Sequence, residues 1–146
     1  MIIKNCLNKV KIGAYLGVDY GESKVGLAIA DGETKMAFAF DTLINDKNLY
    51  TNLKEIISRE DVATVVIGLP SHVNREETEY PSEIFAKKLT EVTDVKIVFQ
   101  DEMFTTKMAK ANLVEKGVKS VDKHDDAEAA RIILQEWLDS ESQVAS

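Results

Sequence analysis

Cysteine is almost missing from this chain of 146 residues; Cys6 stands alone, so no disulfide can form within it. That fits a reducing compartment. Histidine is scarce too, and His72 and His124 have no zinc-ligand spacing with Cys6. No apolar run nears the ~20 residues of a membrane helix, and the start, MIIKNCLNKVKIGAY, has no small-residue cleavage pattern. The expected location is the cytoplasm, with no membrane partner. Repeats and low-complexity stretches are absent. Net positive charge is lacking as well: the formal balance is −7. Broad, nonspecific binding to nucleic acid leans on Lys and Arg and is disfavoured. A local basic rim is not, because residues 101–131 hold seven acids against six bases.

What is present suits one domain with a sizeable core: 45% hydrophobic and 29% charged residues. Residues 1–12 read as a short extension with Lys4, Lys9 and Lys11, residues 13–139 as the domain, and 140–146 as a flexible tail. Tyr15–Asp19 and Val25–Ala30 are short apolar runs around GES, the pattern of a hairpin. Met36–Phe40 is a third strand. Lys47–Ser58 carries Leu49, Leu53, Ile56 and Ile57 at helical spacing. Ala63–Leu69 reads as a buried strand, Ser82–Thr90 as a helix, Val95–Phe99 as a strand, and Thr106–Glu115 and Asp126–Leu138 as helices. The order predicts an α/β fold. Three strands form an antiparallel meander, and later strands alternate with helices and lie parallel. Sites in such sheets form at the carboxyl ends of the parallel strands.

Carboxylates stand at three separate strand or helix ends. Asp19 closes the first strand, just before Gly21. It suits either a turn that bonds backbone N–H groups or a ligand site, and Gly21 permits positive φ or close approach. Asp101 and Glu102 close the strand after Val95; adjacent acids raise each other's pKa unless a cation offsets them. As strand neighbours they point to opposite faces, which leaves open which one serves. Thr105 or Thr106 suits a helix cap. In the last helix, Ala130, Ile133, Leu134 and Trp137 form an apolar stripe headed by Asp126. Asp125 is out of phase and stands three residues before Glu128, a partial capping box. An acid that leads a core-facing stripe needs a partner, a proton or a metal. Convergent carboxylates without His or Cys suit Mg²⁺ or Mn²⁺. Two such ions activate water and stabilise the leaving oxygen in phosphodiester hydrolysis.

Four motifs then resemble one family in order and spacing. They are GVDYGESKVGLAIAD (17–31), VVIGLP (65–70), DEMFTT (101–106) and DAEAARIILQEWLD (126–139). The family is YqgF, also called RuvX, and the resemblance runs from Tyr15 to Asp139. It implies a ribonuclease-H-like mixed five-stranded sheet flanked by helices. It also implies catalytic, metal-binding acids at Asp19, Glu102 and Asp126, with Asp101 beside them. The implied activity is a metal-dependent nuclease that matures the 5′ end of pre-16S rRNA, in ribosome biogenesis. Ribosomal particles are an implied partner, and branched DNA such as Holliday junctions a further substrate. Two departures stand out. Met103 replaces the family's Arg, and the loop SHVNREETEYPSE replaces its Asp-Gly turn. Lys24 matches a basic position of the family. Arg75, Thr106, Lys107 and Lys110 are candidate substrate contacts, and Lys116, Lys119 and Lys123 extend the rim. Two rival readings are a non-catalytic rRNA- or ribosome-binding module and an ATP-binding phosphate-loop domain. The second normally needs two such domains, more than this length provides.

Overall fold

Among the described residues, five strands and three helices follow one another in the order that the sequence pattern predicts for them. The computed structural model describes residues 13–69, 80–101 and 123–145. The strands are β1 (Ala14–Tyr20), β2 (Lys24–Ala30), β3 (Ala37–Ile44), β4 (Val62–Leu69) and β5 (Lys96–Asp101). The helices are α1 (Leu49–Arg59), α2 (Pro81–Val92) and α3 (Lys123–Ala145). The sheet runs β3-β2-β1-β4-β5. β2 pairs antiparallel with β1 and β3, while β4 pairs parallel with β1 and β5. This is the mixed sheet expected from the order of elements.

The two faces pack differently. On one, Leu16, Val18, Val25, Leu27, Val65 and Ile67 meet α1 and α2. α1 supplies Leu49, Leu53, Ile56 and Ile57, the helical stripe read from sequence. α2 supplies Phe85 and Leu89. Its start is set by Pro81 and by the Glu83 carboxylate, which accepts the Tyr80 N–H at 3.0 Å. On the other face, Ala28, Ala30 and Val66 pack under Ala130, Ile133, Leu134 and Leu138 of α3. The side chains here are small, so α3 lies close to the sheet. A Cβ on Gly17 would sit 2.7 Å from the Leu134 Cβ.

Several boundaries differ from the sequence reading. β3 does not stop at Phe40 but continues to Ile44. The register against β2 shifts there: Ala39 faces Ala28, Asp41 faces Leu27, and Phe40 is the extra residue of a bulge. The polar pair Asp41-Thr42 hides the strand from a pattern of apolar runs, yet β2 supplies its ladder. α3 runs on through residues 140–145, where a tail was expected. SESQVA contains no Gly or Pro to stop a helix, and adding a residue to an existing helix is easy. Asp125 lies inside α3 and is not its cap; Glu128 instead binds Arg131 at 2.6 and 2.9 Å. The expected helix Thr106–Glu115 and the extension 1–12 lie outside the described residues. Among the described residues, no helix is long and apolar enough to cross a membrane.

Candidate functional site

The register of the sheet gathers the site at one end. β1, β3, β4 and β5 all run the same way, so their carboxyl ends share an edge. α1 follows β3 and α2 follows β4, so both helices start there. α3 starts there too. Its Asp126 backbone lies over Gly26, opposite the end of β1, while the Trp137 ring packs at a tilt against Tyr15 near the start of β1, with centroids 5.7 Å apart. The N-terminal ends of α1 and α2 therefore lie at the same edge of the sheet, on the face opposite Asp19.

Asp19 is half-buried at the carboxyl end of β1. Side chains alternate along a strand. Leu16 and Val18 point towards α1 and α2, whereas Gly17 lies against α3. Asp19 therefore faces the α3 side. Its cross-strand partner on β2 is Gly26. On the other flank, one residue past the Val18–Ile67 pair, stands Gly68. Glycine thus occupies both neighbouring ladder positions. The outer positions of the same row are Thr42 on β3 and Gln100 on β5.

Gly26 also seats Asp126. A Cβ on Gly26 would collide with the Asp126 carbonyl, so the first described turn of α3 rests directly on β2. Asp19 and Gly26 are paired, and Asp126 lies over Gly26. Two acids that are 107 positions apart in the chain are thus brought to one patch of one face. An isolated Gly inside an apolar strand run is the sequence signal for such an approach.

Asp101 belongs elsewhere. It is exposed at the end of β5 and pairs with Leu69. Leu69 and Ile67 share the α1/α2 side of β4, so Asp101 stands on the face opposite Asp19. Lys24 is exposed and opens β2 two residues before Gly26, which puts it on the α3 side with Asp19. Glu102, Arg75, Thr106, Lys107 and Lys110 lie outside the described residues, as do Lys116 and Lys119.

Gly21 has a different reason from the one its type suggests. Its φ is not in the left-handed region; a Cβ there would sit 2.7 Å from the Lys24 carbonyl oxygen. Close approach, not positive φ, requires glycine. Asn45, just beyond β3, was not legible as a site residue. Its side-chain amide donates to the Gly21 carbonyl at 2.7 Å, and its backbone N–H donates to the Ser23 carbonyl at 2.9 Å.

The donor chemistry fits a hard divalent ion. Asp19 and Asp126 both stand on the α3 side of the sheet, and carboxylate oxygens are the donors that Mg²⁺ and Mn²⁺ prefer. Among the described residues, no group of three His, Cys, Asp or Glu side chains forms. The described part of the site is therefore a pair of carboxylates.

Comparison with known proteins bears on the fold and the family. A family model described as RuvX, Holliday junction resolvase, matches residues 13–140. A relative from Rickettsia africae (strain ESF-5), named "Putative pre-16S rRNA nuclease", is 37% identical over 150 residues, covering 96% of this chain and 97% of its own. Thermus thermophilus RuvC, solved with a Holliday junction substrate, superposes with a TM-score of 0.60 at 13% identity, covering 90% of this chain and 96% of its own. The yeast mitochondrial Holliday junction resolvase Ydc2 gives 0.58 at 9% identity, covering 99% and 86%. The fold is that of the ribonuclease-H-like resolvases.

Proposed function

We infer the reaction from one premise: this chain belongs to the RuvX (YqgF) family. It is a hydrolase that cuts phosphodiester bonds, and the substrate that its relatives' name points to is pre-16S rRNA. The reading is a cytoplasmic, metal-dependent nuclease that trims the 5′ end of that RNA, with branched DNA as a second substrate. The observation that supports it most is the seating of Asp126 over Gly26, beside Asp19.

In this reading Asp19, Asp126 and Glu102 hold Mg²⁺ or Mn²⁺, two ions in all. Bound ions of this kind activate water and stabilise the leaving 3′ oxygen. Asp101 occupies the other face, which favours Glu102 as the third carboxylate. The chain's own residues do the rest. The two carboxylates keep a fixed spacing because Gly26 fixes α3 against β2. Lys24, on the same side as Asp19, offsets part of the charge of a bound phosphate. No side chain has to act as a covalent nucleophile.

The test is cleavage of a pre-16S-like RNA and of a four-way DNA junction, with Mg²⁺, Mn²⁺ or EDTA, by wild type, Asp19→Asn and Asp126→Asn. Metal-dependent cleavage that both substitutions abolish supports the reading. Cleavage that survives both rejects this site. RNA binding without any cleavage moves the protein to the binding-module class.

A further inference from the structure

We propose that Asn45 is a positioning residue for the carboxylate site: it clamps the β1–β2 turn and so sets the spacing between Asp19 and the seat of Asp126. The inference rests on the metal-dependent reading above.

The turn is Gly21-Glu22-Ser23, between the last residue of β1 and the first of β2. It has little packing of its own, because Glu22, Ser23 and Lys24 are all exposed. Asn45 bonds it at both ends. The backbone N–H of Asn45 donates to the Ser23 carbonyl at 2.9 Å, extending the β2–β3 ladder one step past Ile44. Its side-chain amide crosses the mouth of the turn and donates to the Gly21 carbonyl at 2.7 Å. That second bond is partly buried. Losing it leaves a half-buried carbonyl without its donor, which is costlier than losing a bond in water.

The turn joins two functional positions. Asp19 lies two residues before Gly21, and Gly26, which seats Asp126, lies two residues after Lys24. A turn that opens moves the ends of β1 and β2 apart and displaces one carboxylate from the other. Ion sites tolerate little of this; groups that orient ligands are commonly worth ten- to a hundredfold in metal affinity. Asn45 touches no reacting group, so it acts only through the backbone that it holds.

The experiment measures Mn²⁺ binding to the full-length protein by titration calorimetry, for wild type, Asn45→Ala and Asn45→Asp. The Asp variant keeps the size and removes the donor. Denaturation of each protein in EDTA is followed in parallel. Binding about tenfold or more weaker in both variants, with metal-free folding close to wild type, is the expected result. Wild-type Mn²⁺ affinity in both variants, with or without a lower denaturation midpoint, overturns the positioning role and leaves the nuclease reading intact. A wild type that takes up no Mn²⁺ overturns both readings together. If Asn45→Ala does not fold, Asn45→Asp alone decides.

Discussion

Gly26 of β2 and Asp126 of α3 lie against each other with no space for a side chain between them; a Cβ on Gly26 would collide with the Asp126 carbonyl. Since Gly26 is also the cross-strand partner of Asp19, this one position joins both acids. Gly26→Ala must lift the start of α3 off the sheet. The expected stability loss is ~1–3 kcal/mol, the usual range for overpacking. Cleavage should fall far more, by about a hundredfold, as expected for an ångström of misplacement at a reacting centre. Gly17→Ala is the control. It strikes the same helix at Leu134 and the Ala130 carbonyl, 2.7 and 2.9 Å from the added Cβ. It should lose similar stability by urea denaturation but keep most cleavage per folded molecule. Equal cleavage losses in the two variants would reject the special role of Gly26.

Asp101 and Glu102 are neighbours that the sequence leaves equivalent. The register of β5 puts Asp101 beside Leu69, on the face away from Asp19. Asp101→Asn should therefore leave cleavage within about twofold, as an exposed substitution does. Glu102→Gln should abolish it. Comparing the two at saturating Mg²⁺ decides which acid serves; a silent Glu102→Gln with a dead Asp101→Asn reverses the assignment.

Tyr50 provides a pH prediction. Burial, and then the nearby Tyr20, push its phenol above the ordinary value of 10.0. Both rings pack on Phe85, at 5.7 Å for Tyr50 and 4.7 Å for Tyr20. A raised value in the folded state means that the unfolded chain releases the proton first as pH climbs. The contribution is complete below the unfolded value and disappears as pH rises through the folded one. Urea midpoints at about pH 8 and about pH 11 should drop less for Tyr50→Phe than for wild type, because Phe cannot titrate. An equal drop rejects the assignment.

Gln135 ties α3 to the β2–β3 connection. Its carbonyl oxygen accepts the Ala37 N–H at 2.8 Å, and its amide donates to the Lys35 carbonyl at 3.3 Å and to Asp139 at 3.1 Å. Lys35 has a φ of 57°, so this turn needs outside support. Gln135→Ala should cost ~1–2 kcal/mol in urea denaturation, about one to two hydrogen bonds. Arg131→Ala, which removes only the half-exposed pair with Glu128, should cost ~0.5 kcal/mol or less.

Much of this architecture was legible residue by residue. The β-branched run in ATVVIGL marks β4, and Leu49, Leu53, Ile56 and Ile57 mark α1, because burial imposes the periods of strand and helix directly. Asp126 separates from Asp125 by phase alone, since one residue turns a helix by about 100°. The reading failed where pairing, not polarity, decides: β3 runs through Asp41 and Thr42 because β2 offers a ladder, and α3 runs past Asp139 because nothing stops it.

The chain's own pattern set out the order of the described elements and put acids at three strand or helix ends. These follow from local periodicity, which each residue reports about its own neighbourhood. Which positions share a face is set by pairing between distant segments. Asp19 and the Asp126 backbone share the α3 side because Gly26 pairs with one and lies under the other, and Asp101 stands on the opposite face because β5 registers it beside Leu69. Register and close approach are relations between distant segments, and no single stretch of chain encodes them. The same is true of Asn45, an ordinary residue after a strand until β3 brings its amide to the carbonyl of Gly21.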